Sequence, residues 1–325
     1  MPARRTFPWG VVGGGLLAVG LAAIALRSIP PLQLANRWTV LATALSPLGV
    51  VAFAAAALCL AASRHWPVRS IAVVAVAGLA LQGWWLRPYW PAAWSAPVIP
   101  AALSTPTDAT TLLTVNLRCN PPGVRNLAAL VQSVQPDVVV VEGLADSPKQ
   151  VLDAAWGTLL PYRTSHPQAA TAKCQTAVYS RTPVRRLSPA GDQQSAVEVT
   201  RGKGNFVLLP VDLPTPSNGV TPWLDAFANL THTANAYPGV PLVLAGDFNA
   251  VLEHEPLRRL IASGLKDSAV DAGASWTPTF SPFDGLPPLL ALDHVLVSSG
   301  LNALEVRTEP VAGQQHRALI ARIAF

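Results

Sequence analysis

The chain has 325 residues, half of them apolar and only 13% charged, with a formal net charge of +5. No aspartate or glutamate precedes Asp108 but seven arginines do, so the last 218 residues set 16 basic side chains against 18 acids and net −2. The positive surplus therefore belongs to the N-terminal third, which argues against a basic nucleic-acid groove in the remainder.

Three charge-free apolar runs lie between the early arginines: Thr6 to Leu26, Trp38 to Ser63 and Ser70 to Leu86. Each approaches or exceeds the ~20 residues that a helix needs to cross a bilayer. Trp84, Trp85, Tyr89 and Trp90 stand where an interfacial aromatic belt would follow the third run. The pattern predicts three transmembrane helices within residues 1–87 and the lipid bilayer as a partner. A cleaved signal peptide is the alternative for the first run, but two more spans follow and "ALRSIP" is a weak cleavage site. Arg4, Arg5, Arg64 and Arg69 mark cytoplasmic flanks, diluted by Arg27 and Arg37 in the first loop. Three crossings then make a multi-pass protein of the cell membrane whose C-terminal domain is extracytoplasmic.

Residues 88–107 contain five prolines and no acid, as a semi-rigid spacer would. From 108 to 325 a single α/β domain is expected. "TLLTVNL", "DVVVVEG", "TAVYSR", "NFVLLPVDL", "LVLAGDF" and "LDHVLVS" read as strands bounded by turn formers, and "VRNLAALVQSV" and "PWLDAFANLTHTA" carry apolar residues at helical spacing. Cys59 falls in the second apolar run. Cys119 and Cys174 remain, as a disulfide suited to an exported domain or as two buried thiols.

Polar residues collect at the strand ends: Asn116 in "TVNLR", Glu142 in "PDVVVVEG", Asp247 and Asn249 in "GDFNA", Asp293 in "LDHVLVS", and His316 in "GQQHRALIARI". This ordered series resembles the endonuclease/exonuclease/phosphatase family, which includes DNase I-like nucleases, inositol phosphatases and bacterial sphingomyelinases. With three preceding spans the chain looks most like the membrane-anchored, glycopeptide-resistance (VanJ-like) branch. The resemblance implies a four-layer DNase I-like β-sandwich flanked by helices, with its site at one edge.

It also implies roles. Asp247 orients or deprotonates the attacking water, Asn249 holds a phosphate oxygen, and His316, held by Asp293, steadies charge on phosphorus. Asn116 and Glu142 belong to a divalent-metal shell, with Mg²⁺ or Mn²⁺ expected from oxygen ligands. The implied function is a membrane-anchored, metal-dependent phosphohydrolase with a phosphorylated substrate, a lipid phosphate or diphosphate being the candidate. The family fold would also bring Cys119 and Cys174 together beside the site. His294, one residue from Asp293, points to the opposite face and reads as packing. His166, His232 and His254 match no motif, and Ser180 and Arg181 serve a turn and an ion pair.

Three departures stand against the matches. Gly143 occupies the place of the family's metal-binding glutamate, so Glu142 is offset by one residue and needs a bulge or a shortened loop to recover its aim. Asp212, in "PVDLPTP", stands where the family has a catalytic histidine, and a carboxyl donates a proton only if its pKa is raised. Gln315 replaces an aspartate before His316. A degenerate relative that binds a phospho-ligand or an envelope partner without turnover is the competing expectation.

Overall fold

The computed structural model describes residues 8–90, 109–119, 122–167, 174–187, 195–202, 204–274, 276–282 and 286–325. The proline-rich stretch 88–107 falls outside them from residue 91 onward. Two compact units emerge. The first comprises residues 1–88 with 216–220 and 253–255, and the second the remainder.

In the first unit, α1 (Trp9–Ser28) and α5 (Trp66–Trp85) are each 20 residues long and apolar enough to cross a membrane. The short α2 (Pro30–Gln33) leads to α3 (Arg37–Ala44), whose start is closed by a reciprocal capping box between Asn36 and Thr39. The middle run is not one straight helix. α3 and the segment that includes α4 (Gly49–Ala61) meet at a bend of 53°. Pro47, in the 3-10 turn Ser46–Leu48, cannot donate the backbone hydrogen bond that would continue the helix. The unit thus has two helices of spanning length, or three if the bent pair is counted as one. Phe53 of α4 is fully buried, and a Cβ on Gly20 or Gly78 would lie within 2.8 or 2.3 Å of its ring. Small residues let the helix backbones close around that ring.

The second unit is a two-sheet sandwich. Its strands in chain order are β1 (Ala109–Asn116), β2 (Val138–Ala145), β3 (Tyr162–Pro167), β4 (Cys174–Ser180), β5 (Val184–Arg186), β6 (Val197–Val199), β7 (Phe206–Asp212), β8 (Leu242–Asp247), β9 (Leu265–Asp267), β10 (Asp293–Ser298), β11 (Asn302–Glu309) and β12 (Ala318–Ala324). One sheet runs β11-β12-β1-β2-β4-β3 and the other β5-β6-β7-β8-β10-β9. Each is antiparallel except at one central parallel pair, β1 with β2 and β7 with β8. The helices are α6 (Val124–Val134), α7 (Asp146–Trp156), α8 (Val220–Asn235), α9 (Glu255–Ala262) and α10 (Ser268–Asp271).

Strand alternation sorts the core into layers. Leu112, Val138, Val140, Leu208, Val243, Ala245, Val295, Val297 and Leu319 meet between the sheets. Leu113, Val115, Val139, Val141 and Ile320 face outward onto Leu127 and Val131 of α6 and Leu152 and Trp156 of α7. The central strands are buried on both faces, so they read as unbroken apolar runs.

The candidate active site

The inward parity of the core strands, carried to their ends, specifies the site. Leu112 and Thr114 lead to Asn116 on β1, Val138 and Val140 to Glu142 on β2, Phe206 and Leu208 to Asp212 on β7, and Val243 and Ala245 to Asp247 on β8. On β10 the inward positions Val297 and Val295 lead back to Asp293. Asn116 is register partner to Glu142, and Asp247 to both Asp212 and Asp293. Both sheets thus deliver polar side chains to one end of the sandwich, where rigid strands hold them.

Glu142 reaches this cluster by plain alternation. Its register with β1 is unbroken through Glu142 itself. An irregularity does occur, but on the β4 side, where Val141 to Leu144 oppose only Ala177 to Gln175. Gly143 has φ +58°, and a Cβ there would lie 2.6 Å from the Arg118 nitrogen. Glycine at this position lets the loop after β1 close onto β2.

The side chains interlock. Asn116 Nδ2 donates to Asp247 Oδ2 at 2.9 Å, and Asn116 Oδ1 accepts from the Arg118 N–H at 2.7 Å. Asp247 Oδ1 accepts from the Asn249 N–H at 2.8 Å, while Asn249 Nδ2 donates to the Leu213 carbonyl at 2.7 Å. His316 Nδ1 lies 2.9 Å from Asp293 Oδ2, and its Nε2 lies 3.8 Å from Asp247 Oδ2. Asp293 is held in turn by Thr279, whose hydroxyl accepts its backbone N–H at 3.1 Å. Thr114 Oγ1 donates to Glu142 Oε1 at 2.5 Å.

Four carboxyl groups crowd this end, and their acidities follow. Burial, then repulsion from Asp293, pushes Glu142 well above the usual carboxylate range, against the Thr114 hydrogen bond. Burial and then Asp247 raise Asp212 to about 8, although the Gly143 N–H and His316 oppose the rise. Asp212 keeps some exposed surface, but protein atoms surround its carboxyl. Burial and Asp293 lift Asp247 to about 6, restrained by His316, Asn249 and Asn116. Burial lowers His316, but Asp293 and Asp247 more than compensate and bring it to about 9, so it is an imidazolium at neutral pH.

Ligand atoms of Asp247, Asp293 and His316 lie within 4.8 Å of one another, a group able to hold a metal ion. Glu142 Oε2 and Asp293 Oδ1 are buried with no hydrogen-bond partner. Orphaned carboxylate oxygens among four acids fit a hard divalent cation, because buried charge without a counter-charge is costly. Asn116 has both ends of its amide engaged by protein and stands here as the hydrogen-bond partner of Asp247.

Other predicted positions fall elsewhere. His294 faces away and binds Asp267 at 2.7 Å and the Ala250 carbonyl at 2.9 Å. Arg181 lies 3.6 Å from Asp137, and Ser180 pairs with Thr182. His232 sits in the last turn of α8, His254 is buried, and the side chain of His166 is outside the described set. Cys119 and Cys174 form a disulfide, as the family resemblance implied. Sequence reasoning missed Thr279, Phe280 and Arg118. Phe280 packs against His316 with ring centroids 4.9 Å apart. A separate cleft, lined by Leu242, Ser298, Tyr237 and Phe325, lies where β8 begins and β10 ends, opposite these carboxylates.

Residues 113–316 match the model of the Endonuclease/Exonuclease/phosphatase family. Similar solved structures include D. rerio TDP2 humanized by 14 mutations, at TM-score 0.53 and 12% identity, covering 67% of this chain and 99% of that one. A Bacteroides thetaiotaomicron endonuclease/exonuclease/phosphatase family protein gives 0.52 and 13%, covering 67% and 98%. The Neisseria 3′ phosphatase NExo, bound to a product DNA hairpin, gives 0.51 and 18%, covering 66% and 100%. At such identities the likeness is one of fold. No curated protein matches by sequence.

Proposed function

The chain belongs to the endonuclease/exonuclease/phosphatase family, and from that premise we propose that it is a membrane-anchored, divalent-metal-dependent phosphoesterase acting outside the cytoplasm on a lipid phosphate or diphosphate. The observation that carries this reading is the buried array Asp293–His316–Asp247, beside carboxylate oxygens of Glu142 and Asp293 that have no protein partner.

Asp247, fixed at both oxygens by Asn116 and Asn249, accepts a proton from the attacking water. A pKa of about 6 leaves it ionised yet basic near neutrality. As the water oxygen bonds to phosphorus, charge on the phosphoryl oxygens is met by the His316 imidazolium, whose orientation Asp293 sets. The phosphorus–oxygen bond to the leaving group breaks, and Asp212, protonated below about 8, supplies the proton that the leaving oxygen needs. Glu142 would hold Mg²⁺ or Mn²⁺, with Asp293 and Asp247 beside it. When bound, the ion supplies Lewis-acid charge at a phosphoryl oxygen.

Support for a lipid comes from two features. Helices α1 and α5 are of spanning length. In the second unit, Trp276, Leu286 and Leu289 are large exposed apolar residues on the stretch whose Phe280 packs on His316. Exposed apolar side chains on a segment that also packs against the site suit an amphiphile. The disulfide favours an oxidising compartment.

Gln315 favours a second reading, a binding module without turnover, because it puts an amide where the family has a carboxylate. One experiment separates the two. The full chain in detergent is assayed with Mg²⁺ or Mn²⁺ against lipid diphosphates and simple phosphate esters. Hydrolysis lost in Asp247→Asn and His316→Ala supports the esterase. An inert wild type that stays inert with Asp212→His supports the binding module.

A further inference from the structure

Arg118 is the cation at the mouth of this acidic site, and its environment is unusual. It follows β1 by two residues, is exposed, and has φ +50°, a left-handed backbone seldom adopted by a residue with a long side chain. Cys119, next along, is also left-handed at φ +58°. Five contacts hold this pair. The Arg118 N–H donates to Asn116 Oδ1, the Cys119 N–H donates to the Gly143 carbonyl at 2.8 Å, and the guanidinium donates to Gln315 Oε1 while lying 5.8 Å from the Phe280 ring centroid. The fifth is covalent: Cys119 is bonded to Cys174, the residue that opens β4 opposite Ala145. Strained backbone kept in place by surrounding contacts is characteristic of positions with a task.

The charge on Arg118 is left over. Its side-chain partners are an amide and an aromatic face, and among the described residues it makes no ion pair with a carboxylate. Gln315 is the reason. The amide fixes the guanidinium through one donor without neutralising it, and the other donors remain for an oxyanion. An arginine so held presents planar donors suited to a phosphoryl group.

We propose that Arg118 receives a non-bridging phosphoryl oxygen of the ligand, and that the Cys119–Cys174 disulfide is the device that keeps it aimed at the site. The assignment rests on the phosphate-site reading above. It also gives the Gln315 departure a purpose: an aspartate there would capture Arg118 in an ion pair and cancel the charge offered to the substrate.

The test uses the full chain in detergent with Mg²⁺, titrated calorimetrically with inorganic phosphate and with pyrophosphate, alongside steady-state hydrolysis. Arg118→Gln is expected to raise Kd for at least one of these anions tenfold or more, and Arg118→Lys by less. Arg118→Gly, whose backbone fits the left-handed conformation without strain, should lose affinity as Arg118→Gln does, which excludes misfolding as the cause. The double variant Cys119→Ser, Cys174→Ser should raise Kd or KM at least threefold with a smaller change in kcat. Anion affinity that depends on Arg118 in a protein inert toward every ester would retain the receptor and sink the hydrolase. Turnover with Kd and KM within twofold of wild type in both Arg118→Gln and Arg118→Gly would retain the hydrolase and sink the receptor.

Discussion

Asp212 stands opposite Asp247 in the register of the parallel pair β7–β8, so two adjacent strand ends each carry a carboxyl group and both cannot be ionised cheaply. Burial raises both, Asp247 to about 6 with repulsion from Asp293 next and Asp212 to about 8 with repulsion from Asp247 next, and in the proposed mechanism that gap separates base from acid without any histidine at the second position.

The pH profile follows from this pairing. In this mechanism the Asp212 carboxyl donates only while protonated and Asp247 accepts only while ionised, so kcat should hold between about 6 and about 8, fall as pH drops through the lower value and fall again as it rises through the upper. Asp212→Asn removes the donor and should cost ~10² or more in rate on esters with poor leaving groups, and far less on nitrophenyl esters that need no acid. Equal losses on both substrates would contradict the assignment.

Glu142 offers a test of metal binding independent of turnover. Its carboxyl must lose a proton to serve as a ligand, and burial with Asp293 holds that proton on. Affinity for Mn²⁺ should therefore increase with pH, and calorimetry on Glu142→Gln should show a loss of tenfold or more. Unchanged affinity would leave the ion to Asp247 and Asp293 and remove Glu142 from its ligands.

His294 and Asp267 form a buried pair whose effect is on stability. Both imidazole nitrogens face acceptors, Asp267 on one side and the Ala250 and Ala291 carbonyls on the other, which calls for the doubly protonated ring. Burial opposes that charge, but the Asp267 hydrogen bond and the carboxylate charge raise the folded-state pKa above its ordinary value. The contribution is thus complete below about 6.5, the unfolded value, and is lost as pH climbs through the raised folded value. His294→Ala should lower stability by about 3 kcal/mol at pH 6 and by less in alkali, read from melting curves across pH.

The disulfide closes a separation of 55 residues. Loop-closure reasoning gives about 4 kcal/mol for such a span, so its removal should lower the melting temperature of the second unit by several degrees. Maleimide labelling of unreduced protein should find only Cys59.

Orientation is checked with fusions. A periplasm-type phosphatase reporter joined after Phe325 should be active in intact cells, whereas a reporter that needs the cytoplasm should be silent. The opposite pattern would place the second unit inside and remove the envelope substrate.

The legible parts of the chain share a physical cause. β1, β2, β4, β7, β8 and β10 are buried on both faces, so their apolar runs announced them, and α6 and α8 were visible from helical spacing. The edge strands β3 and β11 carry polar residues such as Arg163 and Arg307 on open faces, and β5 and β9 are three residues long, too short for periodicity to register. At the site, alternation alone places Asn116, Glu142, Asp212, Asp247 and Asp293 on one face. Thr279 and Phe280 lie in an irregular segment, where contact across the chain rather than local pattern decides position. Arg118 escaped because nothing in "TVNLRC" signals a left-handed backbone. The bend at Pro47 was readable in principle, since proline interrupts a helix wherever it stands.

The inward parity that builds the site also makes it a common edge. β1 and β2 bring their ends from one sheet, and β7, β8 and β10 from the other. Neither sheet holds a complete set of reacting groups, so the chemistry exists only once the two halves have closed on each other. Like charges gathered along that seam push the halves apart, and a cation seated there acts as a rivet. Metal should therefore raise the melting temperature as well as the rate, and a variant that loosens the packing of Val140 or Val295 between the sheets should weaken metal binding from a distance.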